Sequence, residues 1–419
     1  MKGRPLGAGR RRGAAGIAAA ALAFGASTGE AAAEKIRVTN TAEKGRGSFA
    51  AAVRKADADK DRDVITFGRR LRGTIRIPDQ VDFTHPVAIE GRGYGRRESG
   101  AFGRVSLKGP RRGTELYFDG VGKATIRGLH LDRVRVSAYQ SRVDLMRSHV
   151  TGEGTASGNG FYADSYSDSR IDRSTITGWQ RGVFAYRSDI EIDRSLVSAN
   201  KGGGGVVNAG YDHARITNST ISGNSVVSNG PIPASGGGVR AGYESSAEVV
   251  NSTISGNVAE GTDSYGGGVA GYVEVNESTI TGNRAARGGG VGSRADYFYE
   301  VTIANTIVAG NESLDPTAGE DCDDGLSPPG ESIVQSHGGN LVQSPGSCSL
   351  RGSDLSGVDP LLGALADNGG PTPTFALRRR SPAIGLAIRR TATARDQRCV
   401  NRDDDPDSGA FERRRPPAR

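Results

Sequence analysis

Across the middle of the chain, aliphatic residues come in short runs cut off by Gly, Asn and Ser, and never at the spacing of a helical face. One such run sits in "NSTISGN", spelled identically at 218–224 and 251–257. Close relatives of it stand at 173–179, 194–200, 277–283 and 305–311. Aligned on the last aliphatic residue, the phrase gives Val150, Ile176, Val197, Ile221, Ile254, Ile280 and Val308, at intervals of 21 to 33 residues. A repeat of that length that tolerates insertions predicts a solenoid.

A second phrase keeps the same register: "GGGV" at 203–206, 236–239, 266–269 and 288–291. Each period therefore reads as a Gly-rich bend, a short strand, a bend, a short strand and a bend. In "ARITNSTISGN", Ile216 and Ile221 are five residues apart, which no straight strand can place on one face. The backbone must bend at Thr217 and Asn218, and Asn tolerates the left-handed conformation. Stacked coils would bring Asn218-type side chains over one another, about 4.8 Å apart, and amides so placed bond along the column. The inward Ile and Val form a one-dimensional core, each contributing about 1.5–3 kcal/mol.

Such a stack needs caps. "GSFAAAVRKA" supplies one, with Ser48 as N-cap and Phe49, Ala52, Val53 and Ala56 on one helical face. The phrase stops at Asn311, after which a loop-rich segment carries the cysteines.

Composition changes this picture little. Gly is abundant, at 63 of 419 residues, and apolar residues make up 35%, a thin core. The net charge of +7 is confined to the ends. Residues 1–33 carry +4 and residues 413–419 carry +4, leaving −1 on the body, which gives no reason to bind nucleic acid. Residues 1–33 read as an export signal: basic to Arg12, apolar from Gly13 to Ala26, then Ala31-Ala32-Ala33 as a cleavage site, with an uncleaved anchor as the alternative. That apolar run is shorter than the roughly 20 residues of a spanning helix, and no later segment reads as a span of the mature chain. Outside the cytoplasm two of Cys322, Cys348 and Cys399 are expected to pair, Cys322 with Cys348 before the others.

The phrases, together with "GSFAAAVRKADADKDRDVITF", "VDPLLGALADNGGPTPTFALRRRSPAIG" at 358–385, "DQR" at 396–398 and "GAFE" at 409–412, carry a family resemblance. The chain resembles bacterial exported right-handed parallel β-helix repeat proteins that end in a choice-of-anchor C-terminal region. The resemblance implies an all-β, right-handed parallel β-helix with a short N-terminal capping helix and a loop-rich C-terminal region. It also implies secretion or display at the cell surface, in a fold shared by adhesins and polysaccharide-cleaving enzymes. The chain departs from the family at Gly385, Cys399 and Pro406, so no terminal disulfide carries over and Cys399 stays unassigned. Neither does a cell-wall attachment. The expected organisation is a signal peptide at 1–33, a cap with the first strands at 34–78, coils at 79–311, a disulfide-containing loop region at 312–357, the family-specific region at 358–412 and a basic tail at 413–419.

Chemistry must be sought in the site itself. Glycoside hydrolysis needs two carboxylates flanking the bond, and lyase or epimerase chemistry a base beside a cation. "YADSYSDSRIDRS" and "YRSDIEIDRS" place Asp172 and Asp193, and Arg173 and Arg194, at equivalent positions on adjacent rungs. Two such carboxylates raise one pKa, as an acid/base pair requires, but alternating Asp and Arg on an exposed face first predict surface ion pairs. His149 and His213 read as ordinary surface histidines.

Tyr166, Tyr186, Tyr211, Tyr243, Tyr272 and Tyr297 follow the Gly-rich strand once per rung. They predict first an internal ladder and, if they face outward, a platform for a sugar chain or protein partner. No metal site or cofactor is expected: "DCDD" at 321–324 and "RDDDPD" at 402–407 offer oxygens to calcium without the alternating ligands of a dedicated loop. The expected role is structural, adhesive or carbohydrate-binding, towards extracellular polysaccharide or a surface protein, with no assignable active site. The competing class is a polysaccharide lyase, hydrolase or epimerase working in a groove along the solenoid.

Overall fold

Residues 206–224 make one turn of the molecule. Strand Val206–Ala209 is followed by His213–Thr217 and Thr220–Ser222, and each pairs in parallel with its counterparts one turn before and one turn after. The computed structural model describes residues 33–58, 60–91, 105–228, 232–242, 244–293, 300–324 and 334–414. Apart from Ala33, the expected signal peptide lies outside them. Over the described residues the strands form three parallel columns, a right-handed β-helix, with a short fourth row such as Ser225–Val227 on the outside. No helix among the described residues is long and apolar enough to cross a membrane.

Each letter of "NSTISGN" has a structural task. Asn218 sits at φ 51°, as do Asn251, Glu277 and Asn305 within a few degrees, and makes the sharp bend from the second column to the third. Ser219 accepts the backbone N–H of Ser195 at 3.0 Å and passes its own N–H to Ser252 at 3.2 Å, one link in a hydroxyl chain running from Ser148 to Thr306. Thr220 faces outward, Ile221 inward. The aliphatic column Val150, Ile176, Val197, Ile221, Ile254, Ile280 and Val308 lies in register and is wholly buried.

The amide ladder is real but stands at the end of the phrase, not at Asn218. Asn200, Asn224, Asn257, Asn283 and Asn311 are buried, and each Nδ2 donates to the next Oδ1 at 2.8–2.9 Å. From Asn224 to Asn311 each Oδ1 also takes the backbone N–H of the preceding asparagine, and Asn200 Oδ1 takes that of Trp179. The cause is burial: an amide facing the interior must bond its neighbours, since no water reaches it. At the Asn218 position the side chains look outward. Asn218 donates to Asp193, Asn251 to Thr393, and Glu277 breaks the series. The ladder also explains the last glycine of "GGGV", because a Cβ on Gly238 would stand 2.8 Å from Asn257 Nδ2 and 2.6 Å from the Gly268 carbonyl.

Helix Phe49–Ala56 is capped by Ser48, whose Oγ accepts the Ala51 N–H at 3.2 Å, and it buries Phe49, Ala52, Val53 and Ala56. Phe49 stacks on Phe67 with centroids 6.2 Å apart, covering the apolar start of the stack. At the other end the columns outlast the phrase. Cys322–Asp323, Val334–Gly338, Leu341–Val342 and Leu355–Ser356 still pair with the rungs before them, so residues 312–357 hold further coil as well as loop. A disulfide joins Cys322 to Cys348, Cα atoms 5.6 Å apart, whereas Cys399 is free and exposed.

Residues 358–414 turn back and lie along the outer face of the third column. Thr220 donates to the Pro373 carbonyl, Thr253 to Gln397, and Thr279 accepts the Ala410 N–H. Ile307 and Leu341 pack against Leu377 and Ala383. Arg402 is buried with Glu277 at 3.2 Å and Glu412 at 3.3 Å. The motifs "GGPTPT", "DQR" and "GAFE" supply most of these contacts.

Burial raises the carboxyls of Asp321 and Asp407 to about 6, against about 3.9 in an unfolded chain. Between those values the folded chain holds protons that the unfolded chain has lost, so the stability these groups give is complete below the window and lost as pH rises through it. Between a pH of about 7.5 and about 5.5 the buried His149, lowered to about 4, acts in the opposite sense, so the aspartate contribution is read by comparison: Asp407→Asn should gain less in thermal midpoint on acidification over this range than the parent does. Equal changes in parent and variant would contradict this.

Candidate functional site

On the outer face of the second column, the charges of the repeated Asp/Arg phrase meet as equivalent positions demand. Asp172 lies in register with Asp193, and Arg170 with Glu191. Arg194 Nη2 donates to Asp172 Oδ1 at 2.7 Å and stands 2.7 Å from Asp193 Oδ2. Arg173 reaches Asp172 at 3.5 Å, and Arg170 bonds Glu191 at 2.9 Å. Thr217 and Asn218 complete Asp193 at 3.0 and 2.9 Å. Both carboxylates are thus buried under their own partners. The pairing continues along the column, from Lys123 with Asp144 to Arg215 with Glu248. Charges paired off evenly along the length are the pattern of a structural ladder.

The bend between the first and second columns is open instead. Asp168 accepts the Asp189 N–H at 3.3 Å, and Asp189 the His213 N–H at 2.8 Å. With Arg142, Arg170 and Arg215 these residues line a shallow depression of about 210 Å³. Burial, with Asp189 and Asp168 nearby, lifts the neighbouring Asp212 carboxyl to about 6. His149 lies elsewhere, in the third column against His130, where burial lowers it to about 4. Among the described residues no group of three His, Cys, Asp or Glu could hold a metal ion, and this includes both acidic runs.

The tyrosine series does not form one internal ladder. Tyr166 and Tyr211 are 82% and 67% exposed in the bend, both with left-handed backbone, and Tyr272 is 42% exposed. Tyr186 belongs to a strand and lies in register with Asp164 and Ala209. The series fails because its members stand at different distances from the Gly-rich strand: Tyr186 follows Val183 by three residues and pairs with Ala209, whereas Tyr211 follows Val206 by five and falls in the bend. Tyr243 and Tyr297 lie outside the described residues.

The outer face of the first column carries aromatic residues of which the sequence had singled out Tyr186 alone. Tyr117, Ser137, Tyr162, Phe184, Val207 and Arg240 follow one another in register, and Tyr139, Asp164 and Tyr186 run beside them. All five rings are half-buried. Tyr162 and Phe184 stack at 5.6 Å, and the Tyr162 hydroxyl donates to Asp164 at 2.6 Å. Burial, then that bond, raises the Tyr162 hydroxyl above the usual phenol range. The signal was present in "ELYFD", "NGFYAD" and "GVFAY", where each strand turns one residue inward and the next outward.

Two guanidinium groups frame this row. Arg181 lies 4.5 Å over the Phe184 ring and donates to the Gly203 carbonyl at 3.1 Å and Asn159 Oδ1 at 3.2 Å, both uncharged acceptors. Burial, and then the like charge of Arg240, push its pKa down. Among the described residues neither Arg181 nor Arg240 has an ion pair. A half-buried cation next to another cation, with no anion between them, is suited to receiving one. Flat rings beside guanidinium groups fit a sugar chain that carries carboxylates.

The family model for the right handed beta helix region matches residues 117–342. Among solved structures, pectate lyase Pel9A is similar with a TM-score of 0.50 and 14% identity, over 91% of this chain and 98% of its own. The A-module of the mannuronan C-5 epimerase AlgE4 from Azotobacter vinelandii gives a TM-score of 0.46 and 14% identity, over 77% of this chain and 100% of its own. At such identity the likeness shows the fold alone. No curated protein matches the chain.

Proposed function

The chain belongs to the right-handed β-helix family, and on that footing we propose that it binds an acidic polysaccharide outside the cell, along the outer face of its first column, without cleaving it. The row Tyr117, Tyr162 and Phe184, with Arg181 and Arg240 lacking a counter-charge, carries this reading. The Cys322–Cys348 disulfide and the export signal read from the sequence support the location. The engagement of Asp172 and Asp193 by Arg194 speaks for binding over turnover.

The test is affinity electrophoresis of the mature chain in gels of polygalacturonate, alginate or a neutral glucan, with the incubated polymers assayed for new chain ends. Retardation is expected in the acidic gels, with Tyr162→Ala and Phe184→Ala each weakening binding by about 1–2 kcal/mol. Asp172→Asn and Asp193→Asn should leave retardation as it is. New chain ends that vanish in those two variants would replace this reading with the enzymatic one.

A further inference from the structure

A second concave site lies away from the aromatic row, at the start of the solenoid where the third column bends back into the first. It is a cleft of about 470 Å³ lined by Glu43, Arg76, Ile77, Lys108, Arg111 and Arg133 among others. Arg76 and Lys108 are brought together because their strands, Gly73–Arg76 and Val105–Lys108, pair in register and end on these two residues. Arg111 projects from the tight turn closed by the Gly113 N–H on the Pro110 carbonyl at 2.9 Å. Arg133 comes from the rung above, where its left-handed backbone at φ 55° makes the bend. Four cations thus converge on a wall whose lining includes one carboxylate, Glu43.

The internal charges answer half of this set. Lys108 pairs with Asp132 at 2.7 Å. Arg133 pairs with Glu153 through Nη1 at 3.2 Å, and its Nε stands 3.6 Å from Asp132 Oδ1, an ion pair without a hydrogen bond. Arg76 and Arg111 have no ion pair or hydrogen bond among the described residues. Two open guanidinium groups, with the cations of Lys108 and Arg133 beside them, form a fork of donors, the arrangement that carboxylate, sulfate and phosphate oxygens satisfy. Arg76, Lys108 and Arg111 precede residue 117, where the family match begins, and Arg133 lies within it.

We propose that this cleft is a binding site for an oxyanion, held by Arg76 and Arg111 with Arg133 and Lys108 adding positive charge, distinct from the aromatic face and independent of what that face binds. The oxyanion comes either as a free inorganic ion or as the acidic group of a sugar.

Isothermal titration of the mature chain with inorganic sulfate, inorganic phosphate and trigalacturonate separates the two sources. Saturable binding of at least one probe is expected, weakened about tenfold or more by Arg76→Ala/Arg111→Ala, the loss that follows removal of a pair of charge-assisted bonds. Both side chains are exposed, so the double variant should melt as the parent does. Phe184→Ala should leave the sulfate and phosphate isotherms, and the trigalacturonate binding that the double variant removes, unchanged while weakening retention of polymer, so either site can fail without the other. Tight binding of sulfate or phosphate would assign a free ion, and tight binding of trigalacturonate alone an acidic sugar. No saturable binding of any probe, or an isotherm unaltered in the double variant, would overturn the site.

Discussion

Asn257→Ala is expected to destabilise the solenoid by about 2–6 kcal/mol, because it strips the acceptor from two buried donors at roughly 1–3 kcal/mol each. Those donors are the Asn224 backbone N–H, at 3.0 Å, and Asn224 Nδ2, at 2.9 Å. The Ile221 carbonyl loses a donor as well. Asn257→Asp should do nearly as much harm, since a carboxylate accepts from Asn224 but cannot donate to Asn283. At the top of the ladder the same residue type is tolerated. Asp321 receives Asn311 Nδ2 at 2.8 Å and the Ser344 N–H at 2.7 Å, so it is asked only to accept. Urea unfolding followed by far-ultraviolet circular dichroism would measure both variants. A loss below about 1 kcal/mol for Asn257→Ala would mean that water or a shifted rung replaces the amide.

The second large effect is expected at Arg402. Its ion pair with Glu277 has side chains 2% and 0% exposed, and Arg402 also donates to Asn251 Oδ1 at 2.9 Å. Arg402→Met would leave Glu277 charged and enclosed, a change that costs about 3–5 kcal/mol. Burial already pushes the Glu277 pKa up, with Arg402 opposing. Glu277 would then take up a proton or expel the segment above it. The damage should appear first as tryptic cleavage within residues 358–414 at a temperature where the coils still resist. Pairing the change with Glu277→Gln should restore part of the loss, because the amide can keep the bond from the Thr393 N–H, now at 2.8 Å, while Glu412 still lacks its cation. Equal protease resistance of parent and Arg402→Met would show that the segment is held by its apolar contacts instead.

How far the sequence foretold this molecule depended on whether a constraint was local or crossed the chain. The aliphatic spine was legible because every rung must offer the rung above the same shape, and the capping helix because Ser48 and its apolar stripe sit within ten residues. The position of the amide ladder was not, since both Asn218 and Asn224 recur and only burial decides which must bond to its kind. Nor was the return of residues 358–414, whose partners Thr220, Thr253 and Glu277 stand more than a hundred positions away. At the candidate sites, the pairing of Asp172 and Asp193 with Arg194 followed from spelling. The aromatic row was not legible, because Tyr162 and Phe184 directly follow the buried Phe161 and Val183, and only the pleat of the strand separates the outward ring from the inward side chain.

The doubled-back C-terminal segment also gives the molecule a mechanical character. Its bonds are spaced along the axis, from the Pro373 carbonyl at Thr220 to Ser408 at the Gly339 carbonyl. A pull on Arg414 along that axis loads them together in shear, where a segment attached at the last coil alone would peel off one contact at a time. Tension entering at this end of the polypeptide is therefore shared over the rungs between Thr220 and Gly339 before any of those coils is asked to unwind.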